Sequence, residues 1–331
     1  MRRRSHPAKA HMMMWSPPVG MTMQESLDQF GIAVVPNVLD EQSVQTYKND
    51  VFAAFEHLTS EWDTPFMRAG THEQLRVPAR KMFASHAQLF QYPPSLGQSQ
   101  SVWNIRQDPR VVQVFADVHG VPTTELLTSF DGVSMLPPPE VIGIGWQRGE
   151  WLHADTSYHK PRPCVQGFVN LIDVHEGDAT LTALLGSHKF FEDVPLSMVP
   201  DKNFTMLKTV PGLREWYEDR GCKQVRVQAP AGSVVLWDTK TIHSGCNPVR
   251  GRANASWRLV VYVCMMPRST SSAKSIRRRI DMFERGRMSN HYAAAPSMFA
   301  KLPRTYGASI PPVKPLPYPQ LSELGRKLVG Y

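Results

Sequence analysis

The chain has 331 residues, 42% of them hydrophobic, with four cysteines and a formal charge of +8. That is enough apolar material for a sizeable core in one or two domains. No apolar run approaches the roughly 18 residues of a membrane span, and no secretory segment is visible. The cysteines (Cys164, Cys222, Cys246, Cys264) have neither zinc-finger spacing nor a disulfide framework, so reduced thiols in an intracellular, cytoplasmic setting are expected.

The charge is confined to the flanks. Residues 1–9 carry four bases and no acid, and residues 268–287 carry seven bases against two acids, which leaves the rest at a formal −1. Residues 1–23 therefore read as a basic, disordered leader, and an organelle-targeting role is compatible with its acid-poor start. A short helix should precede Phe30. Leu39–Leu58 reads as a helix capped by Asp40, with Val44, Tyr47, Val51, Phe52 and Phe55 on one face. Residues 60–100 show no clear period and are expected to form loops and short turns. A second helix is predicted over Asp108–His119, with Pro109 at its first position and Gly120 past its end.

From there to Pro267 the pattern changes to short β-branched and apolar runs bounded by Gly, Pro and Asp: 165–172, 179–185, 231–237 and 257–264. Such runs suit an all-β barrel or jelly roll. Within this stretch stands Trp151-Leu-His-Ala-Asp155, and some 90 residues further on Thr241-Ile-His243. Residues i and i+2 at a strand end point the same way, so His153 and Asp155 can grip one ion while His243 folds back beside them. Two imidazoles and a carboxylate hold ferrous iron on one face and leave positions open for a co-substrate and dioxygen. Beyond the barrel, residues 269–286 look helical and basic, and 303–319 are Pro-rich, an extended surface arm.

From about Met23 to about Pro267 the chain resembles the phytanoyl-CoA dioxygenase-like family of iron(II)- and 2-oxoglutarate-dependent oxygenases. Phe30-Gly-Ile-Ala-Val-Val-Pro-Asn-Val-Leu39, the Leu-His-Ala-Asp segment, the Gly186-Ser-His188 turn and the Gly232-Ser-Val-Val-Leu-Trp-Asp238 run occur in the family's order. The resemblance implies a mostly β, cupin-like double-stranded β-helix (a jelly roll) over 24–267 with flanking helices. Residues 268–331 would then be a basic helix and a Pro-rich arm packed on it. Iron(II) would sit on His153, Asp155 and His243, with 2-oxoglutarate and O₂ as co-substrates and ascorbate as a reductant. A retained Asp155 favours hydroxylation or desaturation over halogenation, because related halogenases give up that carboxylate. Where members often read His-Gly-Ser, this chain reads His243-Ser244-Gly245.

The resemblance also requires an arginine for the distal carboxylate of 2-oxoglutarate, since a guanidinium binds a carboxylate through two parallel hydrogen bonds. Arg250, Arg252 and Arg258 follow His243; Arg258 is preferred because a charge opening an apolar strand needs a partner, with Arg252 as the alternative. Trp146, Trp151, Tyr158 and His159 read either as a substrate lip or as core packing at the barrel rim, and Lys160 and Arg162 beyond them as a solvated loop, with contact to an anionic substrate as the alternative. His175, His188 and His291 read as structural histidines, and Asp238 as ordering a turn or orienting a ligand histidine. Arg277-Arg278-Arg279 reads as a solvated face, with docking to nucleic acid as the alternative. Two competing functions stay open: a cupin-like iron enzyme that does not use 2-oxoglutarate, and a non-catalytic barrel that binds through its basic flanks.

Overall fold

The computed structural model describes residues 12–83, 96–143, 146, 151–300 and 309–331 of the protein. In chain order its strands are β1 (Met14–Trp15), β2 (Ile32–Val35), β3 (Leu126–Thr128), β4 (Val133–Leu136), β5 (His153–Ala154), β6 (Val165–Asn170) and β7 (Thr180–Leu184). They continue as β8 (Thr205–Met206), β9 (Gln224–Val227), β10 (Val234–Asp238), β11 (His243–Cys246), β12 (Arg258–Tyr262) and β13 (Met265–Pro267). One sheet runs β2-β10-β6-β12-β4 and the other β1-β9-β7-β11-β5-β8, with β3 and β13 forming a separate pair. This is the jelly roll expected from the sequence.

Strand alternation decides what faces inward. Phe168, Val235, Trp237 and Val260 turn into the barrel against Leu181, Ala183, Val225 and Val227 of the opposite sheet. Val169, Val234, Leu236, Leu259 and Val261 turn outward and are covered by helices. Gly167 is needed here: a Cβ at that position would lie 2.8 Å from Leu236 Cδ2, 2.9 Å from the Val235 carbonyl and 3.2 Å from Phe115. The helix Pro109–His119 can therefore lie close on the sheet.

The two long predicted helices form, as Glu41–Leu58 and Pro109–His119. Asp40 accepts the Ser43 amide at 2.7 Å and Asp108 the Arg110 amide at 2.9 Å, caps worth about 1 kcal/mol each. The helix before Phe30 is Met23–Phe30, closed by a capping box between Thr22 and Glu25. Residues 60–100 differ from expectation, because His72–Phe83 is a helix. Pro78 inside it broke the pattern that would have signalled it. Part of the expected leader is ordered too: Met14–Trp15 pairs with β9, and Trp15 is buried with its ring 5.4 Å from Phe30. The most basic part of that leader, residues 1–11, lies outside the described residues, as do residues 303–308 of the Pro-rich arm.

The basic segment forms a helix over Ala273–Glu284. Arg277 and Arg278 are exposed, but Arg279 is fully buried and donates to the carbonyls of Thr128, Ala293, Leu328 and Val329. The expected solvated run is thus a buried clamp beside two surface charges. Further on, the Pro312 and Pro315 carbonyls meet the side chains of Trp62 and His57, and a helix over Glu323–Val329, not anticipated from the sequence, buries Leu328 and Val329. No described helix is long and apolar enough to cross a membrane.

Candidate metal centre

His153 and His243 face each other directly, because β5 and β11 pair antiparallel in the register His243↔His153. The turn before His243 is held from several sides. Asp238 accepts the Lys240 amide at 2.7 Å, and Thr241 Oγ1 donates to the Gly31 carbonyl at 2.9 Å. Ser187, in the turn opened by left-handed Gly186, accepts the Ile242 amide at 2.9 Å. Asp238 therefore orders the turn and does not orient His243. His188 donates to or accepts from nothing at the centre; its Nε2 meets the Asp28 carbonyl at 3.2 Å.

Each ligand-type imidazole is oriented by its own strand. Nδ1 of His153 lies 2.9 Å from the Trp151 carbonyl, and Nδ1 of His243 lies 2.8 Å from the Thr241 carbonyl. A carbonyl only accepts, so each Nδ1 carries the proton and each neutral ring presents a bare Nε2 lone pair. Those atoms face Asp155, with His153 Nε2 at 3.4 Å from Oδ1 and His243 Nε2 at 3.5 Å from Oδ2. One donor atom from each of the three residues lies within 4.8 Å of the other two. Two ligands bonded at about 2.1 Å and roughly 90–110° apart sit about 3.0–3.4 Å from each other, close to the two imidazole–carboxylate distances here. Without a cation or a proton between them, buried lone pairs would repel.

Burial pushes the Asp155 carboxyl upward, but the His153 and His243 imidazoles facing it outweigh burial and hold the group well below the usual carboxylate range. Burial likewise holds the His243 imidazole below its ordinary value despite Asp155 beside it. Both shifts keep the groups in their ligating forms at neutral pH. Aromatic rings flank the imidazoles: Trp151 stacks on His153 at 4.7 Å, the exposed Phe204 lies 4.8 Å from His153, and Trp237 lies 5.1 Å from His243.

The arginines separate clearly. Arg252 is buried and already taken, donating to both oxygens of Glu140 at 3.1 and 2.9 Å and to Asp178 at 2.7 Å. Arg250 lies over the Trp146 ring at 4.4 Å. Arg258 turns into the barrel with Val260, 6% exposed, over the Phe168 ring at 5.6 Å. Its Nη1 donates to Ser134 Oγ at 2.6 Å, and among the described residues no carboxylate neutralises it.

The expected lip divides. Trp151 is at the site and donates to the Gly245 carbonyl at 2.8 Å. Tyr158 is not a lip residue: it is 3% exposed, stacked on Phe191 at 4.0 Å and paired with the Tyr217 hydroxyl at 3.2 Å, within an apolar cluster. Trp146 is half-buried, and its ring packs against Arg250.

Three other residues join the centre. His291 Nδ1 lies 4.0 Å from Asp155 Oδ2, its Nε2 is buried without a partner, and burial lowers its pKa to about 4. The neighbouring Tyr292 hydroxyl donates to the Asp155 carbonyl at 3.3 Å. Gln166, on β6, donates to Asp155 Oδ2 at 3.2 Å. Gln166 had a signal, since Gln166 and Asn170 put polar groups on the inward face of an apolar strand. His291 had none, because its approach depends on how the C-terminal segment packs. A groove of about 980 Å³, lined by Leu27, Val118, Cys164, Met266 and Tyr292 among others, contains none of the three ligand-type residues.

A jelly roll in which two histidines and an aspartate converge has the donor set of a non-haem metal centre. The sequence profile of the phytanoyl-CoA dioxygenase (PhyH) family matches residues 27–248, and the chain belongs to that family of iron(II)- and 2-oxoglutarate-dependent enzymes. It is 26% identical over 266 residues to Ava biosynthesis cluster protein O from Aspergillus versicolor, covering 77% of this chain and 80% of that one. Among solved structures it is similar to HygX from Streptomyces hygroscopicus with nickel and 2-oxoglutarate bound, at 18% identity and a TM-score of 0.45, covering 76% of this chain and 88% of HygX. It is also similar to the epimerase SnoN in complex with Fe3+, alpha-ketoglutarate and nogalamycin RO, at 16% identity and a TM-score of 0.40, covering 74% and 82%.

Proposed function

We propose that the protein is a hydroxylase in which His153, Asp155 and His243 hold iron(II) and Arg258 anchors the distal carboxylate of 2-oxoglutarate. The observation that carries this reading is the convergence of three donor atoms within 4.8 Å, with both imidazole Nδ1 positions committed to backbone carbonyls. Iron with 2-oxoglutarate and dioxygen supplies oxidative decarboxylation to succinate and CO₂, together with the oxidising power to hydroxylate a C–H bond. The chain's own work is placement. The carbonyls of Trp151 and Thr241 fix the two rings, Gln166 holds the carboxylate, and the Trp151 and Trp237 rings pack against the imidazoles. Arg258 offers a buried guanidinium with no carboxylate partner among the described residues, which an entering dianion would neutralise. Asp155 fills the position that a halogenating centre would need open. The same reading puts the enzyme in a reducing, intracellular compartment, in keeping with its four free cysteines.

The test supplies purified protein with ferrous iron, ascorbate, 2-oxoglutarate and air, and measures succinate. Slow, oxygen-dependent release without added substrate is expected. Metal-dependent oxygen uptake without succinate would instead select an iron enzyme that does not use 2-oxoglutarate, and absence of metal binding would select a non-catalytic barrel.

A further inference from the structure

Gln166 makes two contacts that join the segments bearing the ligand-type residues. It lies on β6, 5% exposed, on the barrel's inward face. Its Nε2 is 3.2 Å from Asp155 Oδ2 and 3.1 Å from Thr239 Oγ1. The amide orientation is fixed by chemistry, since the reverse placement would press a carbonyl oxygen against a carboxylate. Thr239 is itself held, its amide donating to the Cys164 carbonyl at 2.9 Å, and it lies in the turn that leads to His243. One buried amide group thus ties the Asp155 segment to the β10–β11 turn through both of its N–H bonds.

We propose that Gln166 is a positioning residue of the metal centre, fixing the rotation of the Asp155 carboxylate and its registration with His243. This rests on the metal-binding reading above. Without the amide, the described residues around the Asp155 oxygens are the two imidazoles and the more distant His291, and the carboxylate can turn away from the ion's position. Hydrogen-bonded partners of metal ligands are worth 10–100-fold in affinity.

The experiment compares full-length wild type, Gln166→Leu and Thr239→Val by titration with Co(II), following the visible absorption of the bound ion, with the melting temperature of each metal-free protein as a control. Gln166→Leu should weaken Co(II) binding about 10–100-fold and alter the intensity of the cobalt bands while the metal-free fold persists. Thr239→Val, which frees the amide but leaves it in place, should weaken binding several-fold, and it carries the test alone if Gln166→Leu does not fold. Wild-type-like affinity and spectra in the folded variants, with Co(II) still lost in His243→Ala, would overturn the role of Gln166 while leaving the metal site intact. Wild type that takes up no Co(II), or takes it up equally well after His243→Ala, would overturn the metal-site reading itself.

Discussion

Arg258→Met separates two effects that ordinarily move together. In the folded protein Arg258 is 6% exposed, its guanidinium donates one hydrogen bond to Ser134 and it has no carboxylate partner among the described residues. Methionine is close in volume, lies comfortably over Phe168 and removes a buried, uncompensated charge, so the metal-free protein should be unchanged or stabilised by about 1–2 kcal/mol. Ser134 loses one partner, which offsets part of that gain. Binding of 2-oxoglutarate should move the other way. Two charge-assisted hydrogen bonds at about 1.5 kcal/mol or more each amount to about 3 kcal/mol, a Kd raised a hundredfold or more. Urea melts of the metal-free protein and calorimetric titration of the Co(II)-loaded protein with 2-oxoglutarate measure the two quantities. A variant that binds 2-oxoglutarate within threefold of wild type refutes Arg258 as the anchor, and a large loss of metal-free stability refutes the account of an uncompensated charge.

His243→Ala should abolish retention of ferrous iron or Co(II) through gel filtration, read by elemental analysis; wild-type stoichiometry would remove His243 from the site. Arg279→Met should leave four buried carbonyls short of a donor and cost about 3 kcal/mol or more in urea melts, whereas Arg277→Met on the exposed face should change stability by less than about 0.5 kcal/mol. His291 titrates near 4 in the folded chain against an ordinary 6.5, so the unfolded chain binds the extra proton between those values. Its contribution to metal-free stability is therefore full above pH 6.5 and falls by about 3 kcal/mol as pH drops to 4. His291→Gln should flatten that part of the stability–pH curve, and an unchanged slope would show that His291 is not held neutral by burial.

Periodicity and caps made the local elements legible. Asp40 announced one helix as its cap, Pro109 and Gly120 announced the other by their places at its ends, and the β-branched, apolar runs at 165–172 and 231–237 announced β6 and β10. These signals are local, so the sequence carries them whole. The helix over His72–Phe83 escaped because Pro78 interrupts it, and the helix over Glu323–Val329 because it is short and follows a proline-rich stretch. For the site, residue type and order pointed to His153, Asp155 and His243.

Tertiary structure decided what each candidate touches. Arg250, Arg252 and Arg258 are the same residue type in one short stretch, yet packing commits Arg252 to Glu140 and Asp178, sets Arg250 on Trp146 and turns Arg258 into the barrel. Tyr158, three residues past Asp155, goes into an apolar cluster behind the sheet, while His291, 136 residues away, arrives beside the Asp155 carboxylate. Distances across the fold depend on how the sheets and the C-terminal segment close on one another. Strand and helix periods, which reach only a few residues, fix which way a side chain leaves its own element but not what it meets there.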